Sequence, residues 1–265
     1  MLRTATIQTT VTAPSLRPGL DTIGDILVQP KVIEGGAGAD DILGGAFGDH
    51  LYGNGGDDVI KGLGGDDYLS GGSGHDLLFG GLGDDMMLGG VGNDVLLGEE
   101  GDDFLSTGDG DDWGLGGAGD DIIQGGAGND YLVGDDGDDA IWGGSGNDQL
   151  LGGNGNDELH GGDGSDAIYC HGGNDVAYGD AGDDLLVGGS GWNTLYGGSG
   201  ADTFLEGTGY GLADSIMDYC AADGDRVTGD SFTVVGGDTW VYSGQTLVFV
   251  LEGYDAGADG INWYC

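Results

Sequence analysis

From residue 35 to residue 205 the sequence returns to one nine-residue pattern nineteen times, with no insertion and no deletion in 171 residues. Residues 125–133 (GGAGNDYLV) are a clean unit, and residues 89–97 (GGVGNDVLL) and 116–124 (GGAGDDIIQ) restate it. Position six is Asp in eighteen units and Asn193 in the other. Position eight is Ile, Leu, Met or Phe in seventeen units, with Gly114 and Ala177 as the exceptions. Self-similarity at a fixed short period marks an architecture in which each unit is one step of a stack and buries its apolar face only against its neighbours.

Composition alone gives an ambiguous answer. The 265 residues include 66 Gly, against a usual share of about 7%, and 48 Asp plus Glu against five Lys plus Arg, for a formal charge of −43. Such acid- and Gly-rich chains are often disordered, but here 38% of residues are hydrophobic and fall on a strict period. Collagen is excluded, because Gly does not occupy every third position and only three Pro are present. The charge repels nucleic acid and anionic lipid, and no basic stripe offsets it. No apolar run of about 20 residues spans a membrane.

The period has a direct physical reading. Six Gly-rich residues suit a tight turn, and three residues around a central apolar side chain suit a short strand. Two nonads return the chain to its starting side, so one coil takes eighteen residues and position eight points inward on every strand. One inner ladder is Ile42, Ile60, Leu78, Leu96, Leu132, Leu150, Ile168, Leu186 and Phe204. The other is Leu51, Leu69, Met87, Leu105, Ile123, Ile141, Leu159 and Leu195. Gly114 is expected to leave a small gap in the first. The predicted class is all-β, a parallel β-roll with two nonapeptides per coil.

The pattern GGxGxDx(apolar)x resembles the RTX nonapeptide family, the hemolysin-type calcium-binding repeats, over about two-thirds of the chain. The resemblance implies a right-handed, calcium-loaded parallel β-roll with ions between consecutive turns. It implies metal ligands at Asp40, Asp49, Asp58, Asp67, Asp76, Asp85, Asp94, Asp103, Asp112, Asp121, Asp130, Asp139, Asp148, Asp157, Asp166, Asp175, Asp184 and Asp202. Residues 206–230 look like the segment that closes such rolls.

Electrostatics supports the same cation. Stacked coils bring like Asp residues to about 5 Å, where each pair repels by roughly 1–3 kcal/mol. Summed along two columns, that exceeds the stability of a typical domain. Calcium takes six to eight hard oxygen ligands, and the position-six carboxylates and Gly-rich turn carbonyls supply them. Magnesium demands a tighter octahedron, and zinc prefers nitrogen and sulfur. Nineteen units make about seventeen gaps, and that many divalent ions would bring the charge to about −9. Folding is then expected to follow ion binding.

Residues 1–34 read as a lead-in carrying Arg3, Arg17 and Lys31, with Val32 and Ile33 able to add a first strand. Residues 35–205 form the roll. Residues 206–265 hold three expected short strands, at 231–235, 239–242 and 246–251, as a C-terminal β cap with a secretion signal at its end. No apolar leader opens the chain, which fits the type I export that the resemblance implies and an extracellular or cell-surface location. Cys170, Cys220 and Cys265 are too scattered for a disulfide framework or zinc site.

The outer faces differ. Position nine of odd units is apolar in nine of ten cases, from Leu43 to Leu205, and such a strip is expected to contact the terminal segments, a second copy or a partner. No catalytic residues are assigned: His50, His75, His160 and His171 share no repeat position, and no HExxH, GxSxG or phosphate-loop motif occurs. The expectation is a non-enzymatic secreted calcium-binding protein with a structural, surface or adhesive role. The alternative is an accessory module serving a separately encoded extracellular protease, lipase or polysaccharide epimerase.

Overall fold

A computed structural model describes residues 29–205, 214–217, 225–228, 232–234, 240–243 and 246–249. The chain divides into two units, Met1–Asp136 and Gly137–Cys265. Both are built from parallel strands alone among the described residues, apart from one terminal hairpin.

In the first unit the strands Val32–Glu34, His50–Gly55, Tyr68–Ser73, Met86–Val91, Phe104–Asp109 and Ile122–Ala127 lie side by side in that order. The alternate strands Asp41–Gly45, Val59–Gly64, Leu77–Leu82, Val95–Glu100, Trp113–Ala118 and Tyr131–Asp136 form the facing sheet. Each rung pairs in parallel with the strand eighteen residues on, as Val59 does with Leu77 and Leu77 with Val95. The eighteen-residue coil is therefore present as the spacing demands. The second unit repeats the scheme, with Ala140–Ser145, Glu158–Asp163, Val176–Ala181 and Thr194–Tyr196 in one sheet and Gln149–Asn154, Ala167–Gly172, Leu185–Val187 and Thr203–Leu205 in the other.

The strands are longer than the spacing suggested. Most run six residues, from position seven through position three of the next unit, as in Tyr68–Ser73. Positions two and three looked like turn residues, yet they take part in the ladder, with Asn54 opposite Gly72 and Gly55 opposite Ser73. Only positions four to six turn the corner. Position-four N–H groups donate to position-three carbonyls of the following coil, as Gly74 does to Val91 at 2.8 Å.

The core is the pair of inner ladders. Every position-eight residue from Leu51 to Phe204 other than Gly114 is a fully buried apolar side chain, Ala177 included. The gap expected at Gly114 is closed. A Cβ there would stand 3.1 Å from Leu132 Cδ2, 3.2 Å from Ile123 Cγ2 and 3.3 Å from Thr107 Cγ2. Thr107 occupies position one of the same unit, where Gly is the rule, and its methyl fills the space.

Beyond the nineteenth unit the coil continues. Asp214–Ile216 pairs in parallel with Thr194–Tyr196, and Arg226–Thr228 with Thr203–Leu205. Phe232–Val234, expected as the first strand of a cap, pairs in parallel with Asp214–Ile216 and is one more rung. Trp240–Ser243 and Thr246–Phe249 form an antiparallel hairpin. The connecting and final residues of the expected cap, and Cys220 and Cys265, lie outside the described residues.

Along the second unit, position nine stacks rings: Trp142 on His160, His160 on Tyr178 and Tyr178 on Tyr196, with centroids 5.7, 4.4 and 4.7 Å apart. On the other face of the first unit, Leu43 and Trp113 are more than half exposed. Among the described residues no helix is long and apolar enough to cross a membrane.

Candidate metal centre

The position-six Asp residues close each turn and then disappear from solvent. From Asp49 to Asp202 every one of them is at most 3% exposed, despite the turn's surface location. One carboxylate oxygen explains the burial. In the first unit Asp58, Asp76 and Asp94 each donate their backbone N–H to Oδ1 of the Asp one coil on, at 2.7–2.8 Å. On the opposite edge Asp67 and Asp85 do the same, both at 2.7 Å. In the second unit Asp157 donates to Asp175, Asp166 to Asp184, and Asp175 to Asn193. Each carboxylate thus clamps the preceding coil through a charge-assisted bond.

In eleven of them the second oxygen has no such partner. Oδ2 of Asp49, Asp58, Asp67, Asp76, Asp85, Asp94, Asp103, Asp157, Asp166, Asp175 and Asp184 is buried and receives no hydrogen bond. A buried, half-satisfied carboxylate is costly, and a series of them calls for a counter-charge. The protonation equilibria carry the same message. Burial, partly opposed by the backbone N–H bond, raises Asp58, Asp67, Asp103, Asp157 and Asp166 from 3.8 to about 6. Asp85, Asp94, Asp175 and Asp184 rise to about 7, burial again leading, with the carboxylates of adjacent coils adding to the shift.

Backbone oxygens meet these carboxylates. A Cβ on Gly53, at position one, would collide with Asp58 Oδ2 of its own unit and with the Gly71 carbonyl oxygen of the next coil. The same pairing recurs at Gly62 with Asp67 and Gly80, at Gly98 with Asp103 and Gly116, and at Gly161 with Asp166 and Gly179. In these units position one is Gly because a carboxylate oxygen and a carbonyl oxygen converge where a Cβ would stand. Among the described residues no three His, Cys, Asp or Glu side chains gather into a metal-holding group. The donor set is instead one of carboxylates completed by main-chain carbonyls, all hard oxygen, and it fits calcium better than zinc.

Several members of this arrangement were not legible as such in the sequence. Asp214 and Asp225 extend the two columns: Asn193 donates to Asp214 Oδ1 at 3.1 Å, and Asp202 to Asp225 Oδ1 at 3.0 Å. They stand 21 and 23 residues on rather than eighteen, which breaks the period, yet Asp214-Ser215-Ile216 and Asp225-Arg226-Val227 keep the Asp-x-apolar triplet. Position five carries a second ladder running the other way, in which the later coil donates to the earlier side chain. His75 donates to Asp57 Oδ1 and accepts from Asn93 at His75 Nδ1, at 2.9 and 2.8 Å. Asn174 and Trp192 continue it in the second unit.

The remaining His residues do not converge. His160 lies between Glu158 and Asp180, 3.1 and 3.5 Å from its two ring nitrogens, and His50 stacks on Tyr68. Cys170 is a free, fully buried thiol. Burial and the charges of Asp175, Asp214 and Asp157 push it well above its usual range.

Parallel sheets on an eighteen-residue coil, edged by columns of buried carboxylates and turn carbonyls, define a calcium-type β-roll. A sequence profile of the RTX calcium-binding nonapeptide repeat matches residues 32–51, 43–78, 52–87, 79–114, 88–123, 115–150, 142–176 and 171–204. The chain belongs to this family of calcium-binding repeat proteins, and its roll is a calcium-binding structural fold. No curated protein matches it.

Proposed function

We propose that this protein is a secreted, non-enzymatic roll that winds up when calcium fills the gaps between its turns. The ligands in this reading are the eighteen position-six aspartates from Asp40 to Asp202, joined by Asp214 and Asp225, together with turn carbonyls. The observation that carries it is the set of eleven buried Oδ2 atoms without a donor described above, several of which converge with a main-chain carbonyl oxygen. Bound calcium would supply divalent charge and six to eight coordination positions for hard oxygens. The chain's own work is to present those oxygens: Oδ1 fixes the carboxylate against the preceding coil, and the missing Cβ at position one admits the carbonyl.

Location follows from coupling. A chain with a charge of −43 is held open by self-repulsion where calcium is scarce and closes where it reaches the extracellular range of about 10⁻⁴–10⁻³ M. That sequence of states suits export as an unwound polymer followed by folding outside, in a structural or surface role. Far-UV circular dichroism during a calcium titration tests it, with magnesium as control. Cooperative gain of β signal at sub-millimolar to millimolar calcium, and none with magnesium, is the expected result. A full β spectrum in chelator at neutral pH would overturn the reading.

A further inference from the structure

The first-unit column that runs through Asp49, Asp67 and Asp85 does not begin with an Asp. Eighteen residues before Asp49 stands Lys31, and it makes the backbone contacts of a position-six residue. Its N–H donates to Asp49 Oδ1 at 2.5 Å, as each Asp below donates to the next. Its carbonyl accepts the His50 N–H at 2.8 Å, matching the bond from Tyr68 to Asp49. Val32–Glu34 then pairs in register with His50, Leu51 and Tyr52. Lys31 is thus the position-six residue of a coil that precedes the repeats.

Its side chain is turned to the same place as the carboxylates. Lys31 Nζ donates to the Gly44 carbonyl oxygen at 2.7 Å. Gly44 holds position one of the next coil, the position whose carbonyl converges with an Asp Oδ2 at Gly53, Gly62 and Gly98. A Cβ on neighbouring Gly45 would stand 3.1 Å from Lys31 Nζ and 3.5 Å from Asp49 Oδ2, so the ammonium and the first buried carboxylate border one spot. The other column starts differently: Asp40 Oδ2 takes the N–H of Gly36 from its own turn, at 2.6 Å.

We propose that Lys31 is a tethered cation that replaces the ion in the first gap of its column, so that this end of the roll is closed without calcium. The inference rests on the reading of the roll as calcium-filled and concerns what Lys31 does there. A gap bounded by one ammonium and one carboxylate is already neutral, whereas a gap bounded by two carboxylates calls for a divalent ion. The ammonium also donates to the carbonyl that an ion would otherwise meet, which leaves that oxygen satisfied. The first coil can therefore stay wound while the rest awaits calcium, and offer an edge on which the next coil forms.

Two variants of the full chain test this by counting bound calcium after equilibrium dialysis. Hydrogen exchange of the His50 amide, which is bonded to Lys31, is read alongside at limiting calcium. Lys31→Asp extends the carboxylate column by one member and is expected to bind one more ion per chain than the wild type. Lys31→Met is expected to bind as many as the wild type, while exchange at His50 quickens by about tenfold or more, the scale set by one lost charge-assisted hydrogen bond. An unchanged count in Lys31→Asp, or unchanged exchange in Lys31→Met, overturns the proposal. A wild type that binds no calcium instead overturns the reading of the roll itself.

Discussion

Two residues at position one carry side chains, Thr107 and Cys170, and they fall in the two units whose position eight is small, Gly114 and Ala177. The packing explains the coincidence. A side chain at position one points into the roll beside its own unit's position eight, as the 3.3 Å approach of Thr107 Cγ2 to a Cβ at Gly114 shows. Either site can be large, but not both. Gly114→Leu alone is expected to overpack the core and cost about 1–3 kcal/mol. With Thr107→Gly added, the unit regains the usual pattern, and a double-mutant cycle in saturating calcium is expected to show coupling of about 0.5–3 kcal/mol. Additive losses would mean that the two residues do not share the space.

Asn193 offers a second residue-scale comparison. Its Oδ1 accepts the Asp175 N–H at 2.9 Å as an Asp would, while its Nδ2 donates to Asp214 Oδ1 at 3.0 Å. An amide therefore fits the column and brings its own donor. Asp94→Asn keeps the acceptor for Asp76 and removes one buried charge. It is expected to stabilise the chain in chelator yet raise the calcium concentration needed for folding. A change of the same sign in both conditions, seen by circular dichroism, would deny Asp94 a role at an ion.

At the scale of the strand, the sequence announced where each element lies but not how long it is. Alternation around position eight marked every rung, because only one residue in three must be apolar to fill an inner ladder. The Gly at positions one to three hid the second half of each strand, since Gly signals a turn in most contexts. Position two shows why Gly suits this strand. Its backbone is left-handed, with φ of 108° at Gly72 and 122° at Gly117, and the units that place side chains there keep that geometry: Leu63 at 84°, Glu99 at 81° and Asp135 at 85°. Such a conformation costs an L-residue about 1–2 kcal/mol. Glu99→Gly is accordingly expected to stabilise the calcium-loaded roll by about 1 kcal/mol in chemical unfolding. A loss of stability would show that Glu99 makes a contact that outweighs its strain. Asp214 and Asp225 escaped the sequence reading for the complementary reason, since a coil closes equally well through a longer connection and only the triplet at the rung is constrained.

Across the whole chain, the same carboxylates that are proposed to hold calcium set the response to acid. In the ion-free fold, Asp58, Asp67, Asp103, Asp157 and Asp166 titrate at about 6, and Asp85, Asp94, Asp175 and Asp184 at about 7. In the unfolded chain they titrate near 3.9. Between these limits the folded state binds more protons than the unfolded state, so the stability of the ion-free roll falls as pH rises from about 4 to about 7. Protons can thus stand in for calcium, each by removing a charge that the stack cannot bury. With calcium present the dependence reverses, because an ion must displace those protons and its affinity declines as pH drops through 7 towards 6. In chelator, the β signal is expected to be greater at pH 5 than at pH 8. In a calcium titration, the midpoint is expected to move to higher concentration over the same acid shift. A β signal in chelator that grows with pH would mean that the buried aspartates are paired within the protein and that the roll does not depend on a bound cation.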